Sequence, residues 1–151
     1  CYPERHPESQ GDEDDIKWTA HKVEVGASFL ISQLFFDNDK YFDFIDRVRE
    51  EGVTVPIVPG IMPITNVSQI ERFTKMCGAT IPEELHERLN AFKDDPAIVM
   101  ATGIEHAIKQ CRELLERGAP GLHFYTLNKS SATLRIHRAL GVKSSRRLRA
   151  L

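Results

Sequence analysis

The sequence predicts an α/β fold built on a parallel sheet. Three short, mostly apolar runs read as strands: FLISQLFF (29–36), VPIVPGIM (55–62) and GLHFYTL (121–127). Near-continuous apolar runs of this length suit the buried strands of parallel sheets. Amphipathic helical segments lie between the runs, and that alternation predicts right-handed β-α-β crossovers.

The helices follow from periodicity and punctuation. A first helix is expected from about Asp12 to Val25, stopped by Gly26; its acidic opening run, Asp12 to Asp15, suits the positive end of a helix dipole. After the first strand, residues 37–52 place Tyr41, Phe44, Ile45 and Val48 on one face and end at Gly52. Residues 66–78 open on a cap residue, carry Ile70, Phe73 and Cys77 as a stripe and end at Gly78. TIPEELHERLNAF opens with Thr80, Pro82 and Glu83 in the pattern of a capping box. A long helix begins with Asp95 as cap and Pro96 in its first turn; its stripe runs Ile104, Ala107, Ile108, Cys111, Leu115, and Gly118 closes it. A last helix is expected over 130–140. Three strands preceded by a stub at residues 1–9 leave two architectures, a small open sheet or part of a barrel, since eight such units need about 250 residues.

Composition narrows the function classes. The 151 residues suffice for one domain with its own core, and a formal charge of −2 gives no reason to expect nucleic acid or an anionic membrane as partner. The basic run KSSRRLRAL (143–151) reads as a solvated terminus. Cys1, Cys77 and Cys111 share no CxxC spacing and cannot all pair, which argues against a disulfide framework and a zinc site and points to a reducing, cytoplasmic compartment. No apolar run reaches the roughly 20 residues of a membrane span, and no signal peptide is visible. The missing initiator methionine suggests a fragment or a processed chain.

In parallel α/β folds ligands bind beyond the C-terminal ends of the strands. Tyr2 and His6, Gln33, the PGIMPITN loop (59–66), and Tyr125, Thr126, Asn128 and Lys129 fall there. No nucleophile elbow, Walker loop, GxGxxG or metal cluster accompanies them. Hydrogen-bonding Gln33, Tyr125 and Asn128, with aromatic Tyr2, Phe73 and Tyr125, suit a planar heterocycle that brings its own chemistry. Each has a plainer reading. Gln33 can bond loop backbone, Phe73 can be core, Lys22 can be a surface charge, and His123 can be a satisfied strand histidine. His21, His86, His106 and His137 fit helix surfaces.

YPERHPE, ISQLFFD, VPIVPGIMPITN and GLHFYTLN stand in an order and spacing that resembles the methylenetetrahydrofolate reductases. The resemblance runs from Tyr2 to about Val142. It implies a partial (β/α)8 TIM barrel, about the C-terminal half of the catalytic domain of the bacterial type, over residues 1–142, followed by the basic tail 143–151. The implied activity is FAD-dependent reduction of 5,10-methylenetetrahydrofolate to 5-methyltetrahydrofolate with NADH or NADPH, in the supply of methionine. It implies FAD contacts at Tyr2, His6, Asp15, Lys22, Ile31, Gln33 and Tyr125. Lys22 would offset phosphate charge and Asp15 would meet the cofactor's sugar region. It implies folate or nicotinamide contacts at Gln33, Gln69, Phe73 and Lys129, with Phe73 as the stacking ring and Lys129 where the family can carry Arg. Trp18 and His21 depart from the polar and basic residues of the family's FAD-binding helix. The family's general-acid Glu and the Asp beneath its flavin belong to the first four strands and map onto no residue here, so no catalytic acid is assigned. The expected associations are with a second copy or a missing N-terminal half. The alternative reading is a half-barrel that only associates and does not turn over.

Overall fold

A computed structural model of the chain describes residues 1–141, the side chain of Asp12 aside. The basic run at 143–151, and the domain boundary placed at Val142, lie outside the described residues. In chain order the elements are α1 (Asp12–Glu24), β1 (Leu30–Leu34), α2 (Asn38–Glu50), β2 (Ile57–Ile61), α3 (Val67–Cys77), α4 (Glu83–Asn90), α5 (Pro96–Glu116), β3 (His123–Phe124) and α6 (Ser131–Ala139). The three strands are parallel, in the order β1-β2-β3. No helix among the described residues is long and apolar enough to cross a membrane.

The helix signals read from the sequence correspond to real ends. Asp37, Asn66 and Asp95 cap α2, α3 and α5 through their side chains, with Pro96 in the first turn of α5. Gly26, Gly52, Gly78 and Gly118 follow helices with positive φ. The capping box at Thr80 does not form. Pro82 is the N-cap of α4 and Glu83 its first residue, while the Thr80 amide and hydroxyl both donate to the Glu4 carboxylate. A charged acceptor from another part of the chain outcompetes the local cap. The third strand is shorter than the apolar run at 121–127. Only His123–Phe124 is assigned, and Tyr125 adds a rung through its N–H to the Ile61 carbonyl (2.8 Å). Leu127 and Asn128 then turn into the left-handed region, at φ 47° and 61°, which ends extended backbone.

Two apolar clusters divide the interior. The larger lies between the sheet and α1, α2, α5 and α6, where Leu30, Phe35, Ile57 and Ile61 meet Ile16, Tyr41, Val48, Ile104, Leu114 and Ile136. The smaller sits beyond the strand ends, where Leu34, Phe36, Met62 and Ile64 meet α3, α4 and Val99 of α5. Polar side chains of α5 tie the two together. Gln110 donates to the Phe35 carbonyl (2.9 Å), the Gln110 carbonyl accepts from Asn38 (3.2 Å), and His106 Nε2 lies 3.1 Å from the Phe36 carbonyl. Buried carbonyls at the strand exit thereby find partners. The opposite face of the sheet carries Ile31, Gln33 and Val58, half-buried and outside both clusters.

The β1–β2 register contains one irregularity that shapes this face. Ile31 pairs with Val58 and Leu34 with Gly60, so β1 spends three residues where β2 spends two. The extra residue displaces the ladder at Ser32, which is fully buried. Its hydroxyl replaces a main-chain acceptor, taking the Gly60 N–H (2.9 Å) and donating to the Gln33 carbonyl (2.9 Å). Its carbonyl accepts the Tyr125 hydroxyl (2.9 Å). A Cβ on Gly60 would lie 2.3 Å from the Ser32 carbonyl oxygen and 2.7 Å from the Tyr125 ring.

Two outcomes follow. Gly60→Ala should destabilise the chain by about 2–3 kcal/mol, because backbone on one side and an aromatic ring on the other must both give way; urea unfolding measures it, and a change within about 0.5 kcal/mol would contradict the packing. The second concerns Tyr41, which donates to the Ile57 carbonyl (2.6 Å). Burial pushes its phenol up to about 12, against an opposing pull from Arg49. The unfolded phenol ionises near 10, so this contribution is whole below pH 10 and lost between pH 10 and about 12, about 3 kcal/mol in all. Tyr41→Phe should flatten the fall in unfolding free energy over that window relative to the parent chain.

Candidate functional site

The residues singled out in the sequence fall into two groups. The first is built on α1 and the segment before it. Asp15, Trp18, Thr19 and Lys22 recur at spacings of three and four, which puts them on one helix face. Thr19 is buried and returns its hydroxyl to the Asp15 carbonyl (2.7 Å). Cys1 lies on the free edge of β1 as one rung of a parallel ladder: its nitrogen donates to the Ile31 carbonyl (3.2 Å) and its carbonyl accepts the Gln33 N–H (2.7 Å). That rung extends the sheet by one residue beyond β1. The chain then turns over α1, held by the His6 N–H on Asp15 Oδ2 (2.9 Å) and by the Arg5 guanidinium on the Ser9 carbonyl.

Between this turn and α1 lies a cavity of about 560 Å³ whose lining includes Tyr2, His6, Asp15, Trp18, Thr19 and Lys22. The four predicted cofactor contacts from this part of the chain all line it, two from the turn and two from α1. His6 Nδ1 accepts the Glu8 N–H (3.1 Å), so the neutral ring carries its proton on Nε2 and offers it as a donor. The Tyr2 ring meets His6 edge-on at 4.4 Å. Asp15 spends one oxygen on the His6 backbone. Lys22, in the last turn of α1, has no ion-pair partner among the described residues.

The second group stands on the strand ends. Gln33 Oε1 accepts the following Leu34 N–H (2.9 Å), and its amide nitrogen makes no hydrogen bond among the described residues. The plain reading of Gln33 as a backbone partner accounts for one end of the side chain and leaves two donors for another purpose. Ile31 shares its face of β1. Tyr125 is anchored through its hydroxyl to Ser32, and burial first, with Tyr2 and Cys77 nearby, pushes its phenol up. It is a protonated ring at neutral pH, suited to packing and not to base chemistry. A smaller cavity of about 190 Å³ takes in Met62, Gln69, Met100, Tyr125 and Lys129. Lys129 is delivered by a tight turn in which its N–H returns to the Thr126 carbonyl (2.8 Å) across Leu127 and Asn128.

Ile31, Gln33 and Tyr125 do not line the cavity of Tyr2 and His6, and Phe73 lines neither cavity. Phe73 packs on the smaller cluster with Tyr2 and Tyr125, with the Arg72 guanidinium 5.7 Å from its ring. Three contributors went unassigned from sequence. Trp18 lines the larger cavity while 63% exposed, and its spacing of three from Asp15 was the available signal. Ser32, a small polar residue inside an apolar run, and Glu4, one of several exposed-looking charges, carry no local signature of what they bind. No described side chain is placed as a general acid. Cys111, which burial alone pushes up to about 12, is an inert core thiol.

Comparison with known proteins supplies the context. The chain is 37% identical over 142 residues to "Probable methylenetetrahydrofolate reductase (NADPH)" of Caenorhabditis elegans, covering 93% of this chain and 21% of that protein. It is 37% identical over 150 residues to "Probable methylenetetrahydrofolate reductase (NADH)" of Oryza sativa subsp. japonica, covering 93% and 25%. Against "5,10-methylenetetrahydrofolate reductase" of Pectobacterium carotovorum subsp. carotovorum it is 34% identical over 143 residues, covering 95% and 48%. The chain thus spans about half the length of these bacterial relatives and a quarter or less of the eukaryotic ones. Among solved structures it superposes on a Clostridium thermocellum protein described as binding two copies of 5-methyl-5,6,7,8-tetrahydrofolic acid. The TM-score is 0.57 at 21% identity, over 91% of this chain and 50% of that one. The likeness is one of fold, and the α/β architecture is that of a partial (β/α)8 barrel. The family model for methylenetetrahydrofolate reductase matches residues 1–141, and the chain belongs to that family of oxidoreductases.

Proposed function

We propose that residues 1–142 are the C-terminal half of a methylenetetrahydrofolate reductase barrel. In this reading the chain serves the FAD-dependent reduction of 5,10-methylenetetrahydrofolate to 5-methyltetrahydrofolate, with NADH or NADPH as reductant. The observation that carries the reading is the convergence of Tyr2, His6, Asp15 and Lys22, from two separate segments, on one cavity of about 560 Å³. The printed names of the relatives support a nicotinamide reductant, and the folate bound by the structural neighbour supports a folate substrate.

The side chains present fit a flavin dinucleotide by their donor set. Lys22 supplies a cation for a phosphate, His6 Nε2 a ring N–H, Asp15 a second carboxylate oxygen for a sugar hydroxyl, and Tyr2 an aromatic wall. Ile31 and Gln33 on β1 and Tyr125 after β3, outside that cavity, would meet another part of the cofactor. When bound, FAD would supply the two-electron chemistry that none of these side chains possesses. The chain's own part is to bind and orient. The free amide of Gln33 donates to a polar heterocycle on the open sheet face. Phe73 offers its ring for stacking, and Gln69 and Lys129 hold the remainder of the folate, Lys129 offsetting carboxylate charge without the two-pronged grip of an Arg. The resemblance implies that the proton donor to the folate lies outside this chain, which spans 48% of the bacterial relative.

A second reading, association without turnover, is favoured by the open face of the sheet, where half-buried Ile31 and Val58 belong to neither apolar cluster of the described residues, and by Phe29, 56% exposed just before β1. Light scattering should then report a dimer or larger species, and a stable monomer would count against it.

The cofactor reading is tested by titrating the chain with FAD. The expected result is a bound flavin spectrum that bleaches under anaerobic NADH or NADPH. Lys22→Ala should weaken FAD binding about 10-fold through loss of one charge-assisted contact. A chain that stays colourless in excess FAD would exclude cofactor binding by this half alone.

A further inference from the structure

Glu4 makes a contact that neither the cofactor reading nor the folate reading uses. Its carboxylate accepts the Thr80 N–H on both oxygens (3.0 and 3.1 Å) and the Thr80 hydroxyl on one (2.5 Å), across 76 residues of sequence. Beside it, the Arg5 carbonyl presses on the turn that ends α3. Gly78 sits there at φ 72°, and a Cβ would lie 2.4 Å from that oxygen. Only glycine fits both the left-handed backbone and the close approach. The segment Tyr2–Arg5 is thus joined to the α3–α4 junction at two adjacent points.

What each partner carries gives the joint its meaning. On one side, Tyr2 and His6 face the larger cavity, and the His6 N–H is fixed by Asp15 of α1. On the other, the junction ends the helix that bears Gln69 and Phe73. Tyr2 and Phe73 pack on the same apolar cluster. We propose that Glu4 is a positioning residue: through Thr80 it makes the cofactor-facing segment and the folate-facing helix α3 one mechanical unit, so that ordering either orders both. The assignment of ligands to the two sides rests on the reading above; the mechanical coupling does not. Coupling of this kind is reciprocal, each ligand raising the affinity of the other by the same factor.

The first test needs no ligand. Amide hydrogen exchange is measured on the full chain and on Glu4→Ala and Glu4→Gln. Three amides report on the unit: His6, bonded to Asp15; Ser9, bonded to the His6 carbonyl; and Ala79, bonded to the Thr74 carbonyl. Glu4→Ala should speed all three by about 10-fold or more while Leu30, bonded to the Pro56 carbonyl, is unmoved. Glu4→Gln should restore most of the protection, because the amide oxygen still accepts the Thr80 N–H. Faster exchange at Thr80 alone, with His6, Ser9 and Ala79 unchanged, overturns the proposal. If Glu4→Ala unfolds the chain, Thr80→Ala removes one donor of the joint and should show the same pattern at about 3-fold; no change at His6 or Ser9 there also overturns it. The second test compares 5-methyltetrahydrofolate affinity with and without FAD. The ratio should fall toward one in Glu4→Ala and recover in Glu4→Gln, and a ratio that survives Glu4→Ala overturns the coupling of the two ligands. A parent chain that binds neither ligand defeats the functional reading, while the exchange pattern still decides the joint.

Discussion

The arrangement at the strand ends depends on the buried hydroxyl of Ser32. A bulge at a buried position of a parallel strand leaves main-chain groups without ladder partners, in a place water does not reach. Ser32 resolves this on its own residue. Its hydroxyl takes the Gly60 N–H and returns a proton to the Gln33 carbonyl, and its carbonyl, released from the ladder, holds the Tyr125 hydroxyl. All three strands meet at this point. The bulge sets where Gln33 projects, the carbonyl sets where the Tyr125 ring lies, and the bare Cα of Gly60 allows the two to approach.

The surroundings confirm how much the site owes to satisfied backbone. At the exit of β1 the carbonyls of Phe35 and Phe36 are met by Gln110 and His106 from α5, and Asp37 caps the next helix. At the other flank, Cys1 completes one rung on β1, Asp15 fixes the His6 amide, and Glu4 takes Thr80. Three side chains that serve the backbone here keep a group unspent: Gln33 two donors beside its bond from Leu34, His6 the Nε2 proton beside its bond from Glu8, and Asp15 a second oxygen beside its bond from His6. The same side chains that satisfy backbone groups therefore keep hydrogen-bonding capacity of their own.

Much of this was legible along the chain. Helix ends followed cap residues and glycines, the strands followed apolar runs, and the resemblance to a known family pointed to Asp15 and Lys22. The failures are instructive. Thr80 has the local pattern of a cap and does not act as one, because a carboxylate from residue 4 offers a stronger acceptor. The run at 121–127 has the composition of a full strand, yet Leu127 and Asn128 leave extended geometry to close the turn before Lys129. Phe73 sits on an apolar stripe, as its core reading required, and packs on the same cluster as Tyr2 and Tyr125. Periodicity could not separate these roles, since both need the same ring on the same helix face.

By itself the sequence determined the order of elements, the caps of α2, α3 and α5 and the glycine stops, the parallel character of the sheet, and the family. Those properties are set by short-range physics: turn chemistry, the alternation of apolar and polar positions, and four motifs in register. Tertiary structure alone decided which residues share a cavity, that Ser32 carries the bulge, and that Glu4 reaches Thr80. The reason is physical. Such contacts join residues tens of positions apart, and their partners are chosen by where packing brings an unsatisfied donor and a free acceptor together, which no local pattern encodes.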